Sequence, residues 1–249
     1  MSILLMAGVA LVMLFTAFLS GVFGMVGGLI LMGVLISVLP LPETMALHAI
    51  TQMASNGWRG MLWWRQVRWR VAGVFVLGSA IAFVGWALLR YTPSKPFVLI
   101  CMGLAPFLIH VVPSALKPDP ESVGSGLLYG GVSMTLLLLS GVSGPLIDSF
   151  FLGGKLDRRQ IVATKAFCQL AGHGGKFVYF GGLVETVASV DWTMAALAVG
   201  ASMAGVTLAR PVLEWLSDAQ YRKWANLMVT CVAGLYLIQG LYLLFVPTH

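Results

Sequence analysis

Ser20-Gly21-Val22-Phe23-Gly24 returns 120 residues later as Ser140-Gly141-Val142-Ser143-Gly144, so one glycine-rich break occurs twice in the chain. Downstream of each break lies a matching set of polar residues. His48, Gln52, Ser55 and Arg59 stand opposite Lys165, Gln169, Gly172 and Lys176 at a constant shift of 117. The offsets within each set are 0, 4, 7 and 11, which is one stripe along an α-helix. A polar stripe in an apolar helix is costly unless something uses it. Repeated halves with broken segments at corresponding places are the architecture of secondary transporters.

Composition sets the class. Hydrophobic residues make up 59% of the 249 and charged residues 10%, with a mean hydropathy of +0.91. Soluble domains carry about 25% charged residues, so the chain reads as an all-α integral membrane protein. Its length allows roughly ten segments of about 20 residues. Cys101, Cys168 and Cys231 are far apart and form no paired metal or redox motif. The N-terminus lacks a basic region and a clear cleavage site, so it reads as a retained first helix. The net charge of +6 falls mostly in short loops, where it reports orientation and not nucleic-acid binding.

Five segments are expected in each half: 3–20, 25–39, 43–62, 71–89 and 95–112, then 124–140, 145–154, 158–180, 192–213 and 221–245. The first repeat thus covers 1–112 and the second 123–249. They are joined by Pro113-Ser-Ala-Leu-Lys-Pro-Asp-Pro-Glu-Ser122, too charged and proline-rich to cross a membrane. The second segment of each half is too short for an upright span of a ~30 Å core. Its glycine-rich break is tolerable at membrane depth only inside protein or beside a cavity.

Loop charge arbitrates the topology. If segments alternate, or each first pair forms a hairpin, one face collects Arg65, Arg68, Arg70, Lys117, Lys155, Arg158, Arg159, Arg210, Arg222 and Lys223. The other face holds only Arg90 and Lys95. If the short segments alone fail to cross, Arg65, Arg68, Arg70 and Lys117 oppose the other eight. Positive loops belong inside, which favours the first arrangement, with both termini extracytoplasmic and the halves inverted. The run Arg59-Gly-Met-Leu-Trp-Trp-Arg-Gln-Val-Arg-Trp-Arg70 suits a cytoplasmic headgroup interface.

The early Ser20-Gly-Val-Phe-Gly-Met-Val-Gly-Gly28, the polar third helix, the linker and Ser140-Gly-Val-Ser-Gly-Pro145 together resemble the TauE/SafE family of bacterial membrane permeases, the sulfite and organosulfonate exporters. The resemblance covers nearly the whole chain and implies a cell-membrane location and an anionic sulfur substrate. Where many relatives carry a longer glycine run, this chain has only Gly27-Gly28.

An anion carrier needs favourable but escapable charge near the midplane. Pro145 suits a first helical turn, with Ser143 or Gly144 as cap, which leaves free N–H groups and a positive helix end there. Gly24 to Gly28 offers the same in the first half, and Ser20, Ser140 and Ser143 add hydroxyls. Tight helix packing by small residues is the competing reading. Gln52 and Gln169 lie about 13 and 16 Å from the charged ends of their helices, near the bilayer centre. Lys165 must snorkel, pair with Asp148 or attract substrate. His48 sits at a similar depth from the other face. Arg59 and Lys176, near opposite helix ends, read as interfacial anchors that could draw anions in. Asn56 and His173 flank the stripe, as substrate ligands or as an interhelical hydrogen bond.

Asp148 is the candidate coupling acid, and His48 and His173 can titrate near neutrality. Proton or sodium coupling and a homodimer are all compatible with this reading, and no cofactor is called for. Gly141-Val-Ser-Gly144 with His173 also admits an intramembrane serine protease. Phe23 in the first copy argues against it. A scaffold would need neither buried lysine nor glutamines, and a lone Asp148 is too little for a metal carrier.

Overall fold

The computed structural model describes residues 3–23, 26–111, 118–152, 156–183 and 191–245. These residues form ten α-helices and no strand. They are α1 Ile3–Phe23, α2 Val26–Val38, α3 Leu41–Leu62, α4 Trp69–Leu89, α5 Lys95–Val111, α6 Val123–Ser140, α7 Gly144–Leu152, α8 Arg158–Val178, α9 Trp192–Trp215 and α10 Asp218–Phe245. A 3-10 turn, Trp64–Gln66, precedes α4, and a π turn, Tyr179–Leu183, extends α8. Each segment expected from hydropathy is thus a helix. Gly24, Met25, residues 113–117 of the linker and Lys155 lie outside the described residues.

Local chemistry sets the ends. Asp157 closes a capping box on α8, accepting from the Arg159 and Gln160 N–H groups at 2.9 and 3.0 Å. Asp191 caps α9 by accepting from the Thr193 and Met194 N–H groups at 2.8 and 3.2 Å. Gly141 ends α6 in the left-handed region, φ 78°, with its N–H on Leu137 O at 2.9 Å. An added methyl there would also lie 2.7 Å from Met32 Cε and 3.0 Å from Met45 Sδ, so both backbone and space demand glycine.

Among the described residues, five helices are long and apolar enough to cross a membrane: Leu4–Phe23, Trp69–Leu89, Val123–Ser140, Trp192–Val212 and Asn226–Phe245. They turn large apolar side chains outward, among them Leu11, Ile81, Leu128, Leu208 and Ile238. α3 and α8 lie inside this wall, packed along one another. They are antiparallel, because Gly57 meets Leu170 while Gly60, further along α3, meets the earlier Ala166. Around them α1 packs along α9, α4 along α6 and α5 along α10. Small residues bring the outer pairs close. Gly205 of α9 lies on the α1 backbone at Leu14 and Phe18, and Gly130 of α6 on the α4 backbone at Phe75. Ser79 Oγ donates to Gly130 O at 3.0 Å.

α2 folds back along α1. Gly27 lies against Thr16 O and Ser20, and Leu31 and Leu35 share a core with Val9 and Met13. At about 1.5 Å per residue, its 13 residues reach roughly 20 Å, short of a full crossing. At one end of the bundle, the loop after α3, the start of α6 and the start of α8 converge. Arg68 pairs with Glu121 at 3.0 Å, and the Arg159 guanidinium sits 5.7 Å over the Trp63 ring. Trp58 donates to Thr207 of α9 at 3.1 Å, which brings the Arg210 end of α9 to the same side.

Candidate functional site

The seam between α3 and α8 carries polar groups in three levels. At one level, Lys165 pairs with Asp148 of α7, with side chains 11% and 23% exposed. The pairing with Asp148, compatible with substrate attraction, is present. Asp148, expected as the coupling acid, is therefore already matched to a cation. Arg59 donates to Ser20 O at 3.1 Å, answering the negative end of α1.

At the opposite level sits a group that the sequence reading misplaced. Lys176 is no interfacial anchor; it is 0% exposed. Its Nζ lies 2.8 Å from His48 Nδ1 and 3.1 Å from Gly141 O. The reason is local: the π turn carries the segment on to Leu183, so Lys176 stands well inside it. The end of α6 at Gly141 lies alongside. His48 in turn reaches Gly28 O with Nε2 at 3.0 Å.

Between these levels lie Gln52, Asn56, Gln169 and His173. Gln52 packs on Gly28, where an added methyl would stand 3.2 Å from its Nε2. Asn56 donates to Gln52 O at 2.9 Å, a bond within its own helix and not between helices. Gln169, Gly172 and His173 line a narrow crevice with Ser133, Ser143 and Phe75. No hydrogen bond joins the two glutamines among the described residues; each faces the short helix of its own half.

Three buried polar atoms in this region have no partner among the described residues: Ser55 Oγ, Ser133 Oγ and His173 Nδ1. Each such orphan costs about 1–3 kcal/mol, and two of the three belong to crevice-lining residues. Ser143 lines the same space at the start of α7, where helical bonding begins with Ile147 N–H on Ser143 O at 3.1 Å. Gly144 is the first residue of that helix. The Ser140 hydroxyl lies 2.8 Å from Leu136 O and 2.9 Å from Val142 O. Ser20 contributes its carbonyl to Arg59. In the first half, Gly27 lies against Thr16 and Ser20 and Gly28 against Gln52.

Ser133 escaped the sequence reading because a lone serine in an apolar helix carries no pattern. Lys176 had one, as the last member of the repeated stripe. Ser143 and His173 share the crevice, and no hydrogen bond connects them among the described residues.

The sulfite exporter TauE/SafE family model matches residues 9–237, nearly the whole chain. The chain belongs to that family. TauE/SafE proteins are membrane transporters, which agrees with the apolar outer wall and the polar interior. No curated protein and no solved structure matches the chain.

Proposed function

We propose that this TauE/SafE protein is a secondary carrier of a small anion, sulfite or an organosulfonate, with its site at the seam of α3 and α8. The observation that carries the reading is the crevice of Ser133, Ser143, Gln169 and His173, where two buried polar atoms lack partners. The oxygens of a sulfite or sulfonate would satisfy hydroxyl, amide and imidazole donors together. The start of α7 adds N–H groups of favourable polarity.

Two inverted halves, 1–112 and 123–249, account for the architecture. The packing supports them: α1 with α9 and α6 with α4 are one relation seen twice, and α3 with α8 and α5 with α10 pair like with like. His48 meets the short helix at Gly28, and Lys165 meets it at Asp148, again a shift of 120. The two polar levels would then act as gates on either side of the site, about 16 Å apart along α3. Arg65, Arg68, Arg70 and Arg159 gather at one end, which favours that end as cytoplasmic and both termini as extracytoplasmic.

A thermal-shift screen of purified protein against sulfite, methanesulfonate, thiosulfate, sulfate and carboxylates tests the substrate class. A ligand at 100 times its dissociation constant adds about 2.7 kcal/mol of stability. Stabilisation by carboxylates and by none of the sulfur anions would overturn the assignment.

A further inference from the structure

Lys176 is a fully buried amine with no carboxylate partner among the described residues, and its hydrogen-bond inventory counts out to a whole number. A carbonyl only accepts, so His48 Nε2 carries the hydrogen directed at Gly28 O. The Nδ1 of that neutral ring is then an acceptor, and Lys176 donates to it. Gly141 O takes a second hydrogen from Lys176. These two acceptors use both hydrogens of a neutral amine. The third hydrogen of an ammonium, and its charge, have no partner among the described residues.

An unpaired buried ion is strongly unfavourable, and a bound anion removes that cost by supplying both acceptor and counter-charge. His173 links the pair to the crevice, its ring centroid 5.5 Å from that of His48. We infer that the Lys176–His48 pair is the coupling centre, taking up one proton as the anion binds and releasing it as the anion leaves. The proton comes from water on the side to which the site is open and forms the third N–H bond on Nζ. Anion and proton cross together, so one unit of negative charge is cancelled in each cycle. The inference rests on the anion-carrier reading and names its coupling ion.

Other titratable groups are already engaged or remote. α2 carries none. Asp148 of α7 pairs with Lys165, eleven residues from Lys176. On α3, Arg59 serves Ser20 O, and Glu43, five residues before His48, has a partner of its own. Tyr236 of α10 donates to Leu29 O, while Tyr179 of the π turn lies 3.2 and 2.9 Å from the Trp86 and Tyr91 carbonyls. Tyr129 of α6 stacks on Phe150.

The test uses full-length protein in vesicles containing a pH-sensitive dye, with sulfite and methanesulfonate as probes. Sulfite takes up protons itself near neutrality, so each variant is compared with the parent at one pH. Lys176→Gln keeps two N–H donors but cannot hold the extra proton. We expect it to carry one proton fewer per anion than the parent, with accumulation driven by a pH gradient falling at least tenfold. Lys176→Arg keeps a permanent charge, so it should bind the anion while uptake no longer follows the gradient. It serves if Lys176→Gln does not fold. Proton flux equal to the parent's in either variant overturns the inference and leaves the carrier reading intact. A parent that carries neither probe overturns both.

Discussion

Single residues in the crevice have opposite consequences for stability and for transport. Ser133→Ala removes a buried hydroxyl with no partner among the described residues, so thermal unfolding of the purified protein should show it at least as stable as the parent, by up to about 1 kcal/mol. Its sulfite uptake should nevertheless fall. Uptake equal to the parent's would reduce the orphan hydroxyl to a packing accident. Gly141→Ala should cost about 1–2 kcal/mol for the left-handed backbone alone, and more for the contacts with Met32 and Met45. Gly124→Ala, with nothing near the added methyl, is the neutral control. Residue by residue, the sequence supplied the stripe but not the depth of its members. Counting from the expected end at 180 left Lys176 beside the surface, because a π turn is not visible in hydropathy. The Lys165–Asp148 pair was one of three readings, and only the position of α7 reveals it.

Helices and their ends were more legible, since hydropathy, Pro40, Pro42 and the glycine-rich breaks act locally. What the chain does not display is which helix meets which. The α4–α6 contact is set by Gly78 and Gly130, whose missing side chains let each backbone approach the other. Gly130→Ala should therefore sharply reduce the recovery of folded protein in detergent, because its methyl would meet Phe75 O and the Ser79 N–H. Gly131→Ala, one residue on and 3.5 Å from its nearest neighbour, should be recovered normally. Equal recovery of the two variants would remove close backbone approach as the basis of this pairing.

At the scale of the whole molecule, the seam between α3 and α8 joins the two halves, and the proposed cycle requires them to move against each other. A short bifunctional cross-link between cysteines placed at Gly57 and Leu170, which touch across the seam, should arrest transport and leave binding measurable. Continued turnover in the cross-linked protein would show that the halves do not move there. Reporter fusions should place both termini outside and the 113–122 linker inside; a cytoplasmic C-terminus would contradict the inverted arrangement. Such long-range relations were implied by the repeated spacing, yet partners more than 100 residues apart cannot be assigned from periodicity alone.

The same seam has a consequence for how the protein is made. α3 is not among the helices apolar enough to cross a membrane by their own composition, and its partner α8 is synthesised about a hundred residues later. Until then the polar face of α3, with His48, Gln52 and Asn56, lacks the neighbour that buries it. Charged and polar groups facing lipid raise the cost of residence in the bilayer. A nascent chain halted after residue 122 should accordingly hold α3 loosely and be cleared by quality-control proteases. Supplying the second half as a separate chain should rescue it, so the fold is completed by its last helices and not its first.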